Sequence, residues 1–148
     1  MGSADRDHIA HHMPLVLYDG VCGLCNGFVR FALRRDRRAA LRFAPLDSDV
    51  GRAIIARHAS LAGRDSIVLV ERVGEVEIVA TRSDAVARIA RHLGAWWSGL
   101  GRVYAMAPRG VRDWLYDAVA RRRYAWFGKL DACPIPTADE RERFIGFE

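Results

Sequence analysis

The run Leu15-Val16-Leu17-Tyr18 constrains the fold of this chain more than any other segment. Four apolar residues without alternation, followed by the turn signal Asp19-Gly20, predict a short strand buried on both faces. Leu24, Phe28, Phe31 and Ala32 then recur at helical spacing, which predicts a helix over about residues 23–35. A strand that feeds a helix this directly commits the chain to a sheet with helices packed on it. Cys22-Gly23-Leu24-Cys25 lies on the turn between the two elements, at the helix N-terminus.

Further elements follow in alternation. Leu41–Ala44 alternates as a strand and Pro45 ends it. Asp47 or Ser48 caps a second helix, with Val50, Ile54, His58 and Leu61 on its buried face and Gly63 as its stop. Ser66–Val70 reads as a strand, Val73-Gly74 as a turn and Val76–Ala80 as the returning strand of a hairpin. Thr81 or Ser83 caps a third helix, with Val86, Ile89, Ala90 and Leu93 facing the core and Gly94 as its stop. The order β-α-β-α-β-β-α over residues 15–94 matches the minimal thioredoxin-like plan, an α/β fold whose first two strands are parallel and whose last two form the hairpin.

Residues 95–148 extend that plan with a helical C-terminal segment. Trp96 to Met106 reads as a short helix or a loop. Pro108 suits the first turn of a further helix, with Val111, Trp114, Leu115, Ala118 and Val119 at core spacing. The aromatic residues Trp114, Tyr116, Tyr124, Trp126 and Phe127 are assigned to packing. Cys133-Pro134-Ile135-Pro136 is expected to be extended, and Thr137-Ala138-Asp139-Glu140 has the capping-box pattern of a last short helix. Residues 1–13 are polar and aperiodic, and are expected to form a loose tail; residues 14–148 are expected to form one domain.

Composition narrows the classes. Apolar residues make up 51% and charged residues 28% of 148, which is ordinary globular usage and argues against disorder. No stretch approaches the ~20 apolar residues of a spanning helix. The N-terminus lacks a basic-then-apolar leader, so a cytoplasmic location without membrane attachment is expected. The net charge is +5, and every cation except Lys129 is an arginine. Arg30, Arg34, Arg35, Arg37, Arg38 and Arg42 form one cluster, relieved only by Asp36; Arg121, Arg122 and Arg123 form another. Such clusters are either solvated helix faces or a phosphate-binding surface. No nucleic-acid motif accompanies them, so a nucleic-acid partner is not expected.

Three cysteines, Cys22, Cys25 and Cys133, are an odd count and do not read as a disulfide framework. A C-x-x-C at a helix N-terminus has a different use. Unpaired N–H groups and the helix dipole favour negative sulfur there, and thiol pKa values at such sites can fall from near 8.5 to between roughly 3.5 and 7.5. Gly23-Leu24 holds no charge and no proline, so a modest depression is expected here. Cys22 is expected to be the exposed thiol that exchanges with a disulfide, and Cys25, one turn further in, the shielded thiol that resolves the mixed disulfide. Asp19 either shapes the turn at the strand end or moves a proton at the dithiol. A structural zinc site needs four ligands, whereas one C-x-x-C stands here without a second pair. The alternative reading is a non-enzymatic binding domain for zinc or an acidic or nucleic-acid partner, with a structural C-x-x-C.

Asp19-Gly20-Val21-Cys22-Gly23-Leu24-Cys25 resembles the D-x-x-C-x-x-C signature of the DCC family of thiol-disulfide oxidoreductases. The resemblance continues through Ser66–Val70, Thr81-Arg82-Ser83-Asp84-Ala85-Val86, Tyr116-Asp117 with Ala120-Arg121, and Cys133-Pro134, over roughly residues 15–136. It implies a thioredoxin-like fold and a redox role for Cys22 and Cys25, with Asp19 as part of the signature. No cofactor and no metal are expected, and the partners expected are a disulfide-containing protein or a small thiol. One departure stands out. Thioredoxin-like proteins place a cis-proline just before the third strand, as a backbone clamp for the partner. Here Leu61-Ala62-Gly63-Arg64-Asp65-Ser66 holds none, and the five prolines (Pro14, Pro45, Pro108, Pro134 and Pro136) lie elsewhere.

Overall fold

In the computed structural model of the protein, residues 14–61, 67–130, 134 and 136–145 are described. The expected tail 1–13, the segment at the cis-proline position (62–66) with its stop Gly63, and Cys133 lie outside them.

The elements run β1 (Leu15–Tyr18), α1 (Gly23–Arg35), β2 (Arg42–Pro45), α2 (Asp49–Arg57), β3 (Val68–Val73), β4 (Val76–Thr81), α3 (Arg82–Ala90), α4 (Ala95–Met106) and α5 (Arg109–Phe127). The sheet order is β2-β1-β3-β4. β1 pairs with β2 in parallel and with β3 antiparallel, and β3 and β4 form the antiparallel hairpin. This mixed sheet with its helices is consistent with the thioredoxin-like fold expected from the element order.

Every residue of β1 is buried, and its alternate side chains serve two cores. Val16 and Tyr18 pack with Val29 and Ala32 of α1 and with Ala85 and Ile89 of α3. Leu15 and Leu17 pack with Ile54 of α2. Period-2 geometry sends neighbouring side chains to opposite faces. A strand covered on both sides therefore shows a continuous apolar run. Ser48 is the N-cap of α2, and its hydroxyl accepts the Gly51 N–H at 3.1 Å. The C-terminal chain covers the outer edge of the sheet. Phe144 bridges Phe43 of β2, and the Ile145 N–H donates to the Phe43 carbonyl at 2.8 Å. An edge closed in this way offers no free ladder to another strand. No helix among the described residues is long and apolar enough to cross a membrane.

Several expectations are corrected. α3 stops at Ala90, and Gly94 is not its stop but the N-cap of α4, with φ 98°. The last helix is only the 3₁₀ turn Arg141–Arg143, although the Thr137 N–H does donate to the Glu140 carboxylate at 3.3 Å. The largest difference concerns α5. Val111, Trp114 and Leu115 are 60%, 66% and 52% exposed, not core, and Trp126 and Phe127 are exposed as well. Ala118 is buried as expected, but the rest of the inward face is Arg112, Tyr116 and Arg123. The physical reason is that polar contacts dock α5. Arg112 donates to Asp84 of α3 at 3.0 Å, Arg82 reaches Asp117 at 3.1 Å and Asp113 at 3.4 Å, and the Ser83 hydroxyl bonds Asp113. Hydrophobic periodicity misreads a helix held by buried charge.

A second polar tie carries a pH prediction. Glu77 of β4 accepts from Arg57 at 2.8 Å and contacts the His58 ring at 2.7 Å, which joins the end of α2 to the sheet. Burial opposes ionisation of Glu77, but His58 and Arg57 outweigh it and hold the carboxyl below its usual value. A lowered carboxyl stabilises the fold above the unfolded pKa of about 4.3 and loses that contribution as pH falls through the folded value. The melting-temperature gap between wild type and Glu77→Gln is therefore expected to be full at neutral pH and to shrink below about pH 4.5. A gap that stays constant to pH 3 excludes the ionised carboxylate as its source.

Candidate active site

The thiols stand where strand meets helix. Cys22 is the N-cap of α1 in extended conformation (φ −83°, ψ 122°), and its Sγ accepts the Cys25 N–H at 3.3 Å. The Asn26 side chain braces the same turn by donating to the Gly20 and Cys22 carbonyls at 2.7 and 2.9 Å. Both cysteines are free thiols. Sulfur at an N-cap faces the positive end of the helix, so negative charge at Cys22 is complemented there. The Cys25 thiol is pushed up to about 12, by burial first and then by its bond to the Cys22 sulfur. The two cysteines of the motif are thus chemically unequal.

Their exposure reverses the sequence expectation. Cys22 is fully buried and Cys25 partly exposed. The cause is the chain leaving α5. Lys129 forms an antiparallel bridge with Cys22, the Gly23 N–H donates to the Gly128 carbonyl at 3.1 Å, and the Leu130 N–H donates to the Val21 carbonyl at 2.6 Å. This latch lies across the dithiol turn. It also takes the Gly23 N–H, one of the donors that a helix N-terminus otherwise leaves unpaired.

The two carboxylate oxygens of Asp19 have separate partners. Oδ1 accepts the Val21 N–H at 3.1 Å and holds the turn. Oδ2 accepts from the Tyr124 hydroxyl and lies 3.5 Å from the Arg123 guanidinium. The side chains of Asp19 and Arg123 are only 14% and 7% exposed. Their charges act on Cys25 with opposite sign, Arg123 lowering its pKa and Asp19 raising it. Two cations approach the Tyr124 ring, Arg123 at 4.7 Å and Lys129 at 5.3 Å from its centre. Burial and its bond to Asp19 raise the Tyr124 hydroxyl pKa.

Sequence reasoning missed Arg123, Tyr124 and Tyr116 as members of this site. Arg123 is one of three arginines in a row, and only the phase of α5 decides which of them turns inward. The Tyr116 hydroxyl accepts the Ile67 N–H at 3.1 Å, and burial pushes its own pKa up to about 12. The Ile67 carbonyl accepts the Arg82 N–H at 3.3 Å. Both backbone groups of Ile67, at the entry to β3, are therefore spent inside the fold. Among the described residues, no group of three or more His, Cys, Asp or Glu side chains is arranged to hold a metal ion.

Comparison with known proteins follows the same lines. The family model for DCC1-like thiol-disulfide oxidoreductase matches residues 16–129. The chain is 36% identical over 132 residues to the uncharacterized protein YuxK of Bacillus subtilis, covering 88% of this chain and 93% of that protein. It is 38% identical over 127 residues to the chloroplastic DCC family protein At1g52590 of Arabidopsis thaliana, covering 82% of this chain and 69% of that protein. No solved structure matches. The matched span runs from β1 through α5 to Lys129, and so takes in the dithiol, Asp19, Arg123 and the latch as far as Lys129. This chain belongs to the DCC1-like thiol-disulfide oxidoreductase family.

Proposed function

We propose that the protein is a thiol-disulfide oxidoreductase in which Cys22 attacks, Cys25 resolves and Asp19 takes the resolving proton. Cys22 thiolate attacks one sulfur of a substrate disulfide; the other sulfur leaves as a thiolate, and a mixed disulfide joins Cys22 to the substrate. Cys25 gives its proton to Asp19 and attacks the Cys22 sulfur. The Cys22–Cys25 disulfide forms, and the second substrate sulfur leaves. Two electrons pass from the dithiol to the substrate, and an external thiol restores the reduced form.

The observation that carries this reading is the inequality of the two thiols. With a pKa near 12, Cys25 has a thiolate fraction of only about 1 in 10⁵ at pH 7, so it needs a base and does not initiate. Cys22 is buried, but reaching it needs only the latch to part. Losing two backbone hydrogen bonds, at about 0.5–1.5 kcal/mol each, costs a factor of about 5–150. The order proposed therefore has Cys22 attack once the latch parts and Cys25 follow once Asp19 takes its proton.

Brief iodoacetamide treatment at pH 7 with peptide mapping is expected to label Cys22 before Cys25. In Cys25→Ser, glutathione disulfide is expected to leave one stable adduct, on Cys22. Faster labelling of Cys25, or an adduct that forms equally well in Cys22→Ser, reverses the roles. Cys133 is expected to be dispensable, so Cys133→Ser should keep reductase turnover within about tenfold of wild type, or 1.4 kcal/mol in barrier. A larger loss gives Cys133 a direct part.

A further inference from the structure

α1 and α3 end beside the start of α4, and their arginines meet there. Arg35, Arg37, Arg38 and Arg91 line a cleft of about 670 Å³ together with Trp96 and Trp97. That volume is in the ordinary range for small-ligand sites. Among the described residues, no carboxylate lines the cleft. Arg57, Arg82, Arg88, Arg112, Arg123 and Arg143 each have an acidic partner. Among the described residues, none of the four arginines of the cleft has one.

The sequence does place one acid in this run, Asp36, but the fold removes it. Asp36 is 2% exposed, and its carboxylate accepts the Ala40 and Leu41 N–H groups at 3.2 and 2.8 Å and Arg143 at 2.5 Å. These bonds also fix the turn that presents Arg37 and Arg38. Arg35 is positioned by stacking, 5.5 Å from the Phe31 ring centre and 5.8 Å from that of Trp97.

Arginines after a helix have a simpler use, in complementing the negative ends of α1 and α3. The magnitudes show that this is not enough. Two helix C-termini supply about −0.5 each and the α4 N-terminus about +0.5, against four full positive charges. A surplus of roughly +3.5 remains, in a site with a defined wall. The N-cap of α4, Gly94, makes no side-chain capping bond, so the helix adds unpaired N–H donors at the same edge. Trp96 is 72% exposed and presents a free indole ring beside the arginines.

We infer that this cleft binds a nucleoside polyphosphate, with the phosphates on Arg35, Arg37, Arg38 and Arg91 and the base against Trp96. Arginine forks match phosphate oxygens two at a time, and a triphosphate carries about the charge that the cleft lacks. A base stacked on an indole contributes about 1–3 kcal/mol in other proteins. The site lies at the opposite end of α1 from Cys22, about 20 Å away along a 13-residue helix. Its occupancy is therefore separate from thiol chemistry, and its test does not depend on the redox reading.

Titration calorimetry of the full chain with ATP, inorganic tripolyphosphate and AMP tests the assignment. Arg37 and Arg38 are exposed, so Arg37→Ala/Arg38→Ala should fold normally, which circular dichroism and the melting temperature check. Saturable 1:1 ATP binding is expected. It should weaken at least tenfold in Arg37→Ala/Arg38→Ala and severalfold in Trp96→Ala, and stay unchanged in Arg121→Ala/Arg122→Ala outside the cleft. Tripolyphosphate should bind more weakly than ATP and be indifferent to Trp96→Ala, and AMP should bind more weakly still. No saturable ATP binding, or an equal loss in Arg121→Ala/Arg122→Ala, overturns the site. Tripolyphosphate binding as tightly as ATP overturns the nucleoside part. A single-stranded oligonucleotide that binds more tightly than ATP, with the same losses in the cleft variants, overturns the small-ligand assignment.

Discussion

Asp19→Asn is expected to slow resolution by Cys25 about 10²–10⁴-fold, the usual contribution of a positioned base. Asparagine keeps the oxygen that accepts the Val21 N–H, so the turn survives. Its NH2 then faces Tyr124, whose hydroxyl can accept from it, and Arg123, which cannot, so the variant loses the Arg123 ion pair together with the charge and the basicity. The two available roles for the carboxylate then predict opposite signs. Asp19 raises the Cys25 pKa by its charge, while Arg123 lowers it. Neutralising Asp19 leaves Arg123 unopposed, so the Cys25 thiol should become more acidic than its value near 12. Electrostatics alone would therefore speed resolution at neutral pH, because every tenfold gain in acidity gives up to tenfold more thiolate. Loss of a base would slow it despite the easier ionisation. Single-turnover decay of a Cys22 mixed disulfide, with the pH dependence of that rate, reads the sign directly. A rate that rises or stays level in Asp19→Asn removes Asp19 as the proton acceptor and leaves it as a turn and field residue.

Gly23→Ala should strike the latch directly. A Cβ at Gly23 would stand 2.1 Å from the Phe127 carbonyl oxygen and 3.1 Å from its carbon. Both are backbone atoms and cannot rotate aside. Alanine is the better helix residue by about 0.5–1 kcal/mol, but overpacking against a fixed neighbour costs about 1–3 kcal/mol. The latch after α5 must move, which breaks the Gly23–Gly128 and Leu130–Val21 hydrogen bonds. The variant is expected to lose about 1–3 kcal/mol of stability and to alkylate at Cys22 about 5–150 times faster, because the barrier to parting the latch has been removed. Denaturant unfolding and timed iodoacetamide labelling measure the two effects. Lower stability without faster labelling of Cys22 shows that the latch does not gate the thiol.

Much of the fold was legible because its strongest signals are local. The unbroken apolar run of β1, the helical spacing after Cys22, the Ser48 cap and the hairpin at Gly74 are each specified within a few residues. They set the sheet and bring the dithiol to the helix N-terminus. The cysteine pair and Asp19 were legible for the same reason, since their order along one turn is their geometry. Arg123 and Tyr124 were not legible: they reach Asp19 from more than 100 positions away, and the link depends on the rotational phase of α5. That phase is set by ion pairs to Asp84 and Arg82, whereas apolar periodicity pointed to the face carrying Val111, Trp114 and Leu115.

Exposure of the thiols was decided in the same way. Position on a helix predicts which sulfur is nearer its end, but says nothing about chain that returns from elsewhere to cover it. The buried Cys22 and the Asp36 drawn out of its arginine cluster by Arg143 both depend on such returning segments. By itself the sequence determined the sheet, the helix that follows its first strand and the reactive pair on the turn between them, because those are set by neighbours in the chain. Only the tertiary structure decided which charges meet, which sulfur is covered and where positive charge is left uncompensated, because those depend on contacts between distant segments that no local pattern encodes.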